Sequence, residues 1–389
     1  MTLPLGLARI TAAEYPRFSE SEMARRRGAV ELLLAKADCD HLVFCGANRF
    51  GSIVQWLTQW PVTAEAVGVL TPRKRDALFV QYVNHAPQAR ILADKADVAW
   101  GGESSVAAAS AVLEQRNAHR DRVATIGPLN AEQNAVLSAK FGRLKNLNRD
   151  YIGLRQIKSA EELDWLRIGA HFSDLGMAAL RDALKPGLNE RELGDLVERA
   201  YVSHGATNII HYIGVTSMDA PDLGVPRQFP RMRRVQKRDV VVAEITAAFW
   251  EHPGQVLRSF ALGRPSQLYI ELHAAADAAF DAIAAVLKAG ATPSQVIEAS
   301  TVIEDAGFTI IDDLLHGYGG GYLPPILGCR SRPAGPVSTD PFRAGQTVVI
   351  QPNVVTPDGR AGVQSGEMVV ITETGIERMH AFPRGFLQL

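Results

Sequence analysis

The feature that most constrains this chain is a stretch that occurs twice. "LKPGLNERELGDLVERAYVSHGATNI" (184–209) and "LKAGATPSQVIEASTVIEDAGFTI" (287–310) both run Leu-Lys-x-Gly, an Asn or Thr suited to cap a helix, an amphipathic helix, then a glycine ahead of a strand. Gly205 and Gly307 stand where a helix ends in the left-handed conformation, which suits glycine. Beyond each copy lies a matching strand, "KRDVVVAEITA" (237–247) and "AGQTVVIQPNV" (344–354). Similar helices alone would carry little weight, but the matched strand order points to duplication. Aligning Asp239 with Gln346 sets Glu244 opposite Gln351. Two like units closing around a pseudo-twofold axis would bring these two side chains into one central site.

A chain of 389 residues is too long for one ordinary core, so two domains are expected. Residues 1–152 alternate helical and strand patterns: "SEMARRRGAVELLLAKA", then the strands "HLVFCG", "AVGVLTP" and "ALFVQYV", the helix "ESSVAAASAVLEQRN" and the strand "RVATIG". This reads as an α/β domain. A second domain, 153–389, is expected to open on a long amphipathic helix, with Ser159 and Glu162 at capping-box spacing. A formal net charge of −1 gives no overall pull toward nucleic acid or a membrane surface. Cys39, Cys45 and Cys329 form no metal-type cluster, and an odd number argues against a disulfide framework. With no leader-like h-region and no apolar run approaching a membrane span, a cytoplasmic enzyme acting on a small molecule is expected.

The hairpin "VVVAEITAAFWEHPGQVLRSFALG" (240–263) joins with "LRQIKSAEELDWLR", "LKPGLNERELGDLVERA", "LLHGYGGGY" and "GVQSGEMVVITETGIERMHAFPR" in a known order. Together they resemble metallopeptidase family M24, the creatinase and aminopeptidase P branch. "SIVQWLTQWPVT" (52–63) similarly resembles a segment of that branch's N-terminal domain. The resemblance implies an α/β (α+β) chain: a creatinase-type N-terminal domain followed by a pita-bread domain with an internal pseudo-twofold repeat. It also implies a homodimer. Family metallopeptidases hold two divalent metals with two aspartates, a histidine and two glutamates. Those positions fall here on Glu244, Gln255, His316, Gln351 and Gly366, and a second family histidine falls on Leu323. One acid, one imidazole and two amides offer too little charge to bridge two cations, so no metal or other cofactor is expected. A single metal held by Glu244, His316 and a shifted Glu367 stays open at this point.

The creatinase branch hydrolyses a C–N bond without metal, using a histidine and substrate-binding glutamates. Those positions fall here near Arg227 and on Leu257 and Gln351, so creatine itself is a poor fit. Glu244 on a buried strand would have its pKa raised by desolvation, which suits a proton-transfer role. The expectation is a creatinase-like, metal-independent hydrolase with Glu244 and His316 as the acid/base pair. Gln255, Gln351, Arg227, Glu367, His211 and Trp60 are expected to bind substrate. The run "VPRQFPRMRRVQKRD" suggests that an arginine recognises a carboxylate on that substrate. The alternatives are a lyase using the same pair, a divergent Xaa-Pro-type metallopeptidase, and a non-catalytic binding protein.

Overall fold

Both copies of the repeat begin alike in three dimensions. Asn189 caps the helix Glu190–Arg199 and Thr292 caps Pro293–Ala299, each closing a capping box with Glu192 or Gln295. The glycines match as well: Gly187 and Gly290 have φ of 100° and 86°, and Gly205 and Gly307 have φ of 87° and 81°. A side chain would strain the backbone at all four positions, which is why the Leu-Lys-x-Gly signature and the helix-ending glycine both recur.

This computed structural model describes residues 2–47 and 52–389. Two units emerge: Ala12–Arg155, and Gln156–Leu389 together with the N-terminal segment through Thr11. The short apolar start forms the helix Leu5–Thr11, which belongs to the larger unit rather than to the one it precedes. In the smaller unit the strands are β1 (His41–Ala47), β2 (Glu65–Leu70), β3 (Asp76–Val80), β4 (Ala96–Trp100), β5 (Val123–Ile126) and β6 (Lys145–Asn146). They form a sheet in the order β4-β3-β2-β1-β5-β6. Val43, Val67, Val69, Val106, Leu113 and Leu137 are buried in its core.

The larger unit contains β7 (Thr207–Ser217), β8 (Asp239–Phe249), β9 (His252–Ala261), β10 (Thr309–Ile310), β11 (Leu315–Tyr318), β12 (Tyr322–Leu327), β13 (Thr347–Ile350), β14 (Asn353–Val355), β15 (Gly362–Gln364) and β16 (Gly366–Ile371). Its main sheet runs β12-β11-β13-β16-β9-β8-β7. From the central β16–β9 seam, β9, β8 and β7 lead out on one side, and β16, β13 and β11 on the other. That mirrored order is the pseudo-twofold repeat, with β8 and β13 as counterparts. No described helix is long and apolar enough to cross a membrane.

The helix Ala160–Ala183 opens on the Ser159–Glu162 capping box and lies directly on the β8–β9 hairpin. The approach is backbone to backbone. A Cβ on Gly254 would come within 2.2 Å of Ala170 Cα, and one on Gly169 within 2.2 Å of the His252 carbonyl oxygen. Ser173 secures the contact: its hydroxyl donates to the Gly254 carbonyl at 2.5 Å and accepts from the Ala247 amide at 2.8 Å.

Candidate active site

Strand alternation decides which side chains meet. Glu244 stands opposite Tyr212 of β7 and Leu257 of β9, and Leu257 stands opposite Gly366 of β16. These positions share one face of the sheet. His211 pairs with Ile245 and therefore points to the other face, where it meets the Tyr201 hydroxyl and lies 3.2 Å from Glu198. Its neighbour Tyr212 is the residue that shares the face of Glu244.

Around Glu244 the structure builds a chain of amides. Gln255 Nε2 donates to Glu244 Oε1 at 2.8 Å and more weakly to Gln351 Oε1 at 3.3 Å. Gln351 Nε2 donates to Asp313 Oδ1 at 2.6 Å. On the other side, Gln364 Nε2 reaches Glu244 Oε2 at 3.4 Å. His316 closes the chain with Nε2 at 3.3 Å from Gln351 Oε1. Its Nδ1 lies 3.1 Å from the Gly317 carbonyl oxygen, and Tyr322 stacks on the ring at 3.9 Å between centroids. Glu244, Gln255, His316 and Gln351 are thereby brought into one hydrogen-bonded cluster.

The electrostatics follow from this burial. Desolvation pushes the Glu244 carboxyl up to about 7, the charge of Asp312 adds to the rise, and the two amide donors oppose it. Desolvation, Asp312 and Glu244 likewise push Asp313 up to about 8. Burial lowers His316 to about 4, so the ring is neutral at physiological pH. Both of its nitrogens face carbonyl oxygens. His316 therefore orients Gln351 and is not placed to protonate a leaving group, contrary to the sequence expectation.

Two further expectations are corrected. Glu367 pairs with Val256 across the seam, on the face away from Glu244. There it meets Arg258 Nη2 at 2.6 Å and also Arg378, with the Arg258 guanidinium fully buried. It cannot stand in for the missing ligand at Gly366. The arginine run is likewise engaged: Arg231 with Glu190, Arg233 with Asp239, Arg238 with Asp219, and Arg227 at 3.9 Å from Asp222. Arg231, Arg233 and Arg238 are thus matched by carboxylates, whereas Arg227 makes only the long contact to Asp222 and its buried Nε finds no hydrogen-bond partner among the described residues. Trp60 lies in the smaller unit with its side chain buried.

Sequence reasoning missed Gln364, Asp312 and Asp313. "DDLLHG" (312–317) carried a signal, since two acids stand just before the histidine strand. Gln364 gave no signal of its own. Its backbone is held by Ser259, whose hydroxyl accepts from the Gln364 amide at 3.0 Å and donates to its carbonyl at 3.1 Å.

With this geometry in place, the comparisons with known proteins fall into line. The model of metallopeptidase family M24 matches residues 164–373, so the chain belongs to that family. An Xaa-Pro dipeptidase of Pyrococcus furiosus is 23% identical over 252 residues, covering 64% of this chain and 69% of that protein. An uncharacterized peptidase of Staphylococcus saprophyticus is 23% identical over 239 residues, covering 59% of this chain and 64% of that relative's length. Among solved structures, an X-Pro aminopeptidase from Thermotoga maritima superposes with a TM-score of 0.80 at 15% identity, over 93% of this chain and 99% of that one. A dipeptidase from Mycobacterium ulcerans gives 0.77 at 22% identity, over 96% and 99%. The fold is the pita-bread fold of these enzymes.

The family implies divalent metals, and the donor set here does not fit them. At the family's ligand positions Glu244 is the one carboxylate, and Gln255 and Gln351 are neutral amides whose N–H ends are engaged by Glu244 and Asp313, leaving no bridging anion for a pair of cations. At Gly366 a Cβ would lie 2.4 Å from the Ile350 carbonyl oxygen and 2.8 Å from Gln351 Cα, leaving no room for a fifth ligand side chain. Among the described residues, no group of three or more His, Cys, Asp or Glu side chains is arranged to hold a metal ion.

Proposed function

We propose that this chain is a metal-independent hydrolase of a C–N bond in a small molecule, with Glu244 as the proton-transferring group. The observation that carries this reading is the Glu244 carboxyl, with an amide N–H at each oxygen and raised to about 7. A base with that pKa is half ionised near neutral pH, where proton transfer in both directions is efficient. A carboxylate accepting two hydrogen bonds keeps lone pairs free for a third partner.

In the proposed reaction Glu244 removes a proton from water as the oxygen bonds to the substrate carbon. The C–N bond then breaks, its electron pair stays on nitrogen, and Glu244 returns the proton to that nitrogen. Gln255 and Gln364 hold the carboxylate, while His316 acts through Gln351 as a positioning residue. The working form is taken to be a cytoplasmic homodimer. A screen of small amides and amidines for amine release in heavy-oxygen water tests the reaction. One labelled oxygen per product, a rate indifferent to chelators, and a loss of about 10²–10⁴ in Glu244→Gln are expected. An unlabelled alkene product, or a rate that rises in proportion to added divalent metal, would sink the reading.

A further inference from the structure

We infer that Asp312 and Asp313, together with Glu244, form a subsite for a cationic nitrogen group of the substrate, an amidinium or primary ammonium donating several N–H bonds. The inference rests on the reading of the Glu244 face as the active site and names the class of group that binds there.

Two independent observations converge on it. The first is charge. Asp312 is exposed, Asp313 and Glu244 are buried, and all three interact electrostatically. Among the described residues no Arg or Lys forms an ion pair with any of them. A carboxylate ligand would be repelled here, and a cation drawn in. The second is hydrogen bonding. Asp313 Oδ2, Gln255 Oε1 and Gln364 Oε1 are buried and find no donor among the described residues. The side chains are at least nine-tenths buried, at 8%, 0% and 2% exposure. Each belongs to a residue whose other polar atom is hydrogen-bonded within the Glu244 network. The two amide oxygens are acceptors, and Asp313 Oδ2 joins them once that carboxyl is ionised, which a bound cation favours. A ligand that satisfies them must bring N–H or O–H donors, and a planar amidinium carries four N–H groups and a positive charge together.

The stacked Tyr322 ring supports the same assignment. It is half-exposed beside His316, and Asp312, Asp313 and Glu244 all act on its hydroxyl. An aromatic ring beside an acidic group favours cations further. Neither aspartate stands at a position where the family resemblance places a substrate-binding glutamate. This subsite therefore belongs to the chain's own DDLLHG stretch.

Calorimetric titration of the EDTA-treated full-length protein tests the inference, with acetamidinium, methylammonium, tetramethylammonium and acetate as probes. Acetamidinium and methylammonium should bind saturably, with dissociation constants on the order of millimolar for fragments this small. Tetramethylammonium, which has charge but no N–H, should bind at least about tenfold more weakly, and acetate should not bind. Asp313→Asn and Asp312→Asn, checked for folding by circular dichroism and thermal melting, should each weaken acetamidinium, Asp313→Asn by at least about tenfold. Equal acetamidinium affinity in wild type and both variants would overturn the inference, as would acetate binding in competition with it or no cation binding at all. Stoichiometric Mn²⁺ binding that disappears in Asp313→Asn would also overturn it, by assigning these carboxyls to a metal. Binding and hydrolysis are read separately. Cation binding without label incorporation keeps the subsite and removes the hydrolase reading, whereas hydrolysis without cation binding removes only the subsite.

Discussion

Replacing Glu244 with glutamine should make the protein more stable while removing its chemistry. Glu244 titrates at about 7 in the folded chain against 4.5 unfolded. Folding therefore takes up a proton between those values. By linkage, a carboxyl raised in this way lowers stability progressively as pH climbs from 4.5 through 7. At about 1.36 kcal/mol per pKa unit, the full cost above pH 7 is about 3 kcal/mol. The amide avoids that cost. Its oxygen can still accept from Gln255, and its N–H can donate to the unpartnered Gln364 Oε1 once that amide turns over. A domain of this size gains about 2–4 °C in melting temperature per kcal/mol. Glu244→Gln should therefore melt about 6–12 °C above wild type at pH 8.5, with the gap closing toward pH 4.5. Relief of the Glu244 charge on Asp313 acts in the same direction. Melting curves from pH 4.5 to 8.5 provide the assay. A variant that is less stable at pH 8.5, or a gap that does not change with pH, would refute the reasoning.

Gln364→Leu removes one of the two donors to Glu244, so the carboxyl should rise further and the acidic limb of the kcat/KM profile should move to higher pH. Gly366→Ala should cost about 1–3 kcal/mol in denaturant unfolding, because its Cβ meets the backbone of Ile350 and Gln351. Arg258→Met alone should cost about 3–5 kcal/mol by leaving the buried Glu367 with only half its countercharge. The double change Arg258→Met, Glu367→Leu should recover most of that loss.

Much of the frame was legible because its determinants are local. The doubled Leu-Lys-x-Gly signature and the helix-ending glycines are backbone requirements that one residue type meets, so they show in the letters. The pairing of Glu244 with Gln351 followed from the repeat alone. What stayed hidden depends on which way a strand faces. His211 and Tyr212 are adjacent in sequence and point to opposite faces, as do Gly366 and Glu367, and only register separates them. The arginine run looked like an anion-binding patch because its partners come from separate places: Glu190 on the helix Glu190–Arg199, Asp219 and Asp222 in the segment after β7, and Asp239 at the start of β8. Gln364 was invisible for a similar reason: Ser259, more than a hundred residues away in the chain, is what aims it.

The contact between the helix Ala160–Ala183 and the β8–β9 hairpin has a consequence for how this family member can change. Gly254 faces the helix and meets its backbone directly, while its neighbour Gln255 faces the opposite way. A position clamped by main-chain atoms cannot be relieved by altering a side chain, so residue 254 is tied to glycine whatever the reaction. Residue 255 bears no such duty. Acid and amide can be exchanged there without displacing the strand that carries them, which makes the hairpin a fixed mount with interchangeable fittings. An engineer seeking new chemistry in this protein would leave the helix-facing register untouched and vary residues 244, 255, 351 and 364.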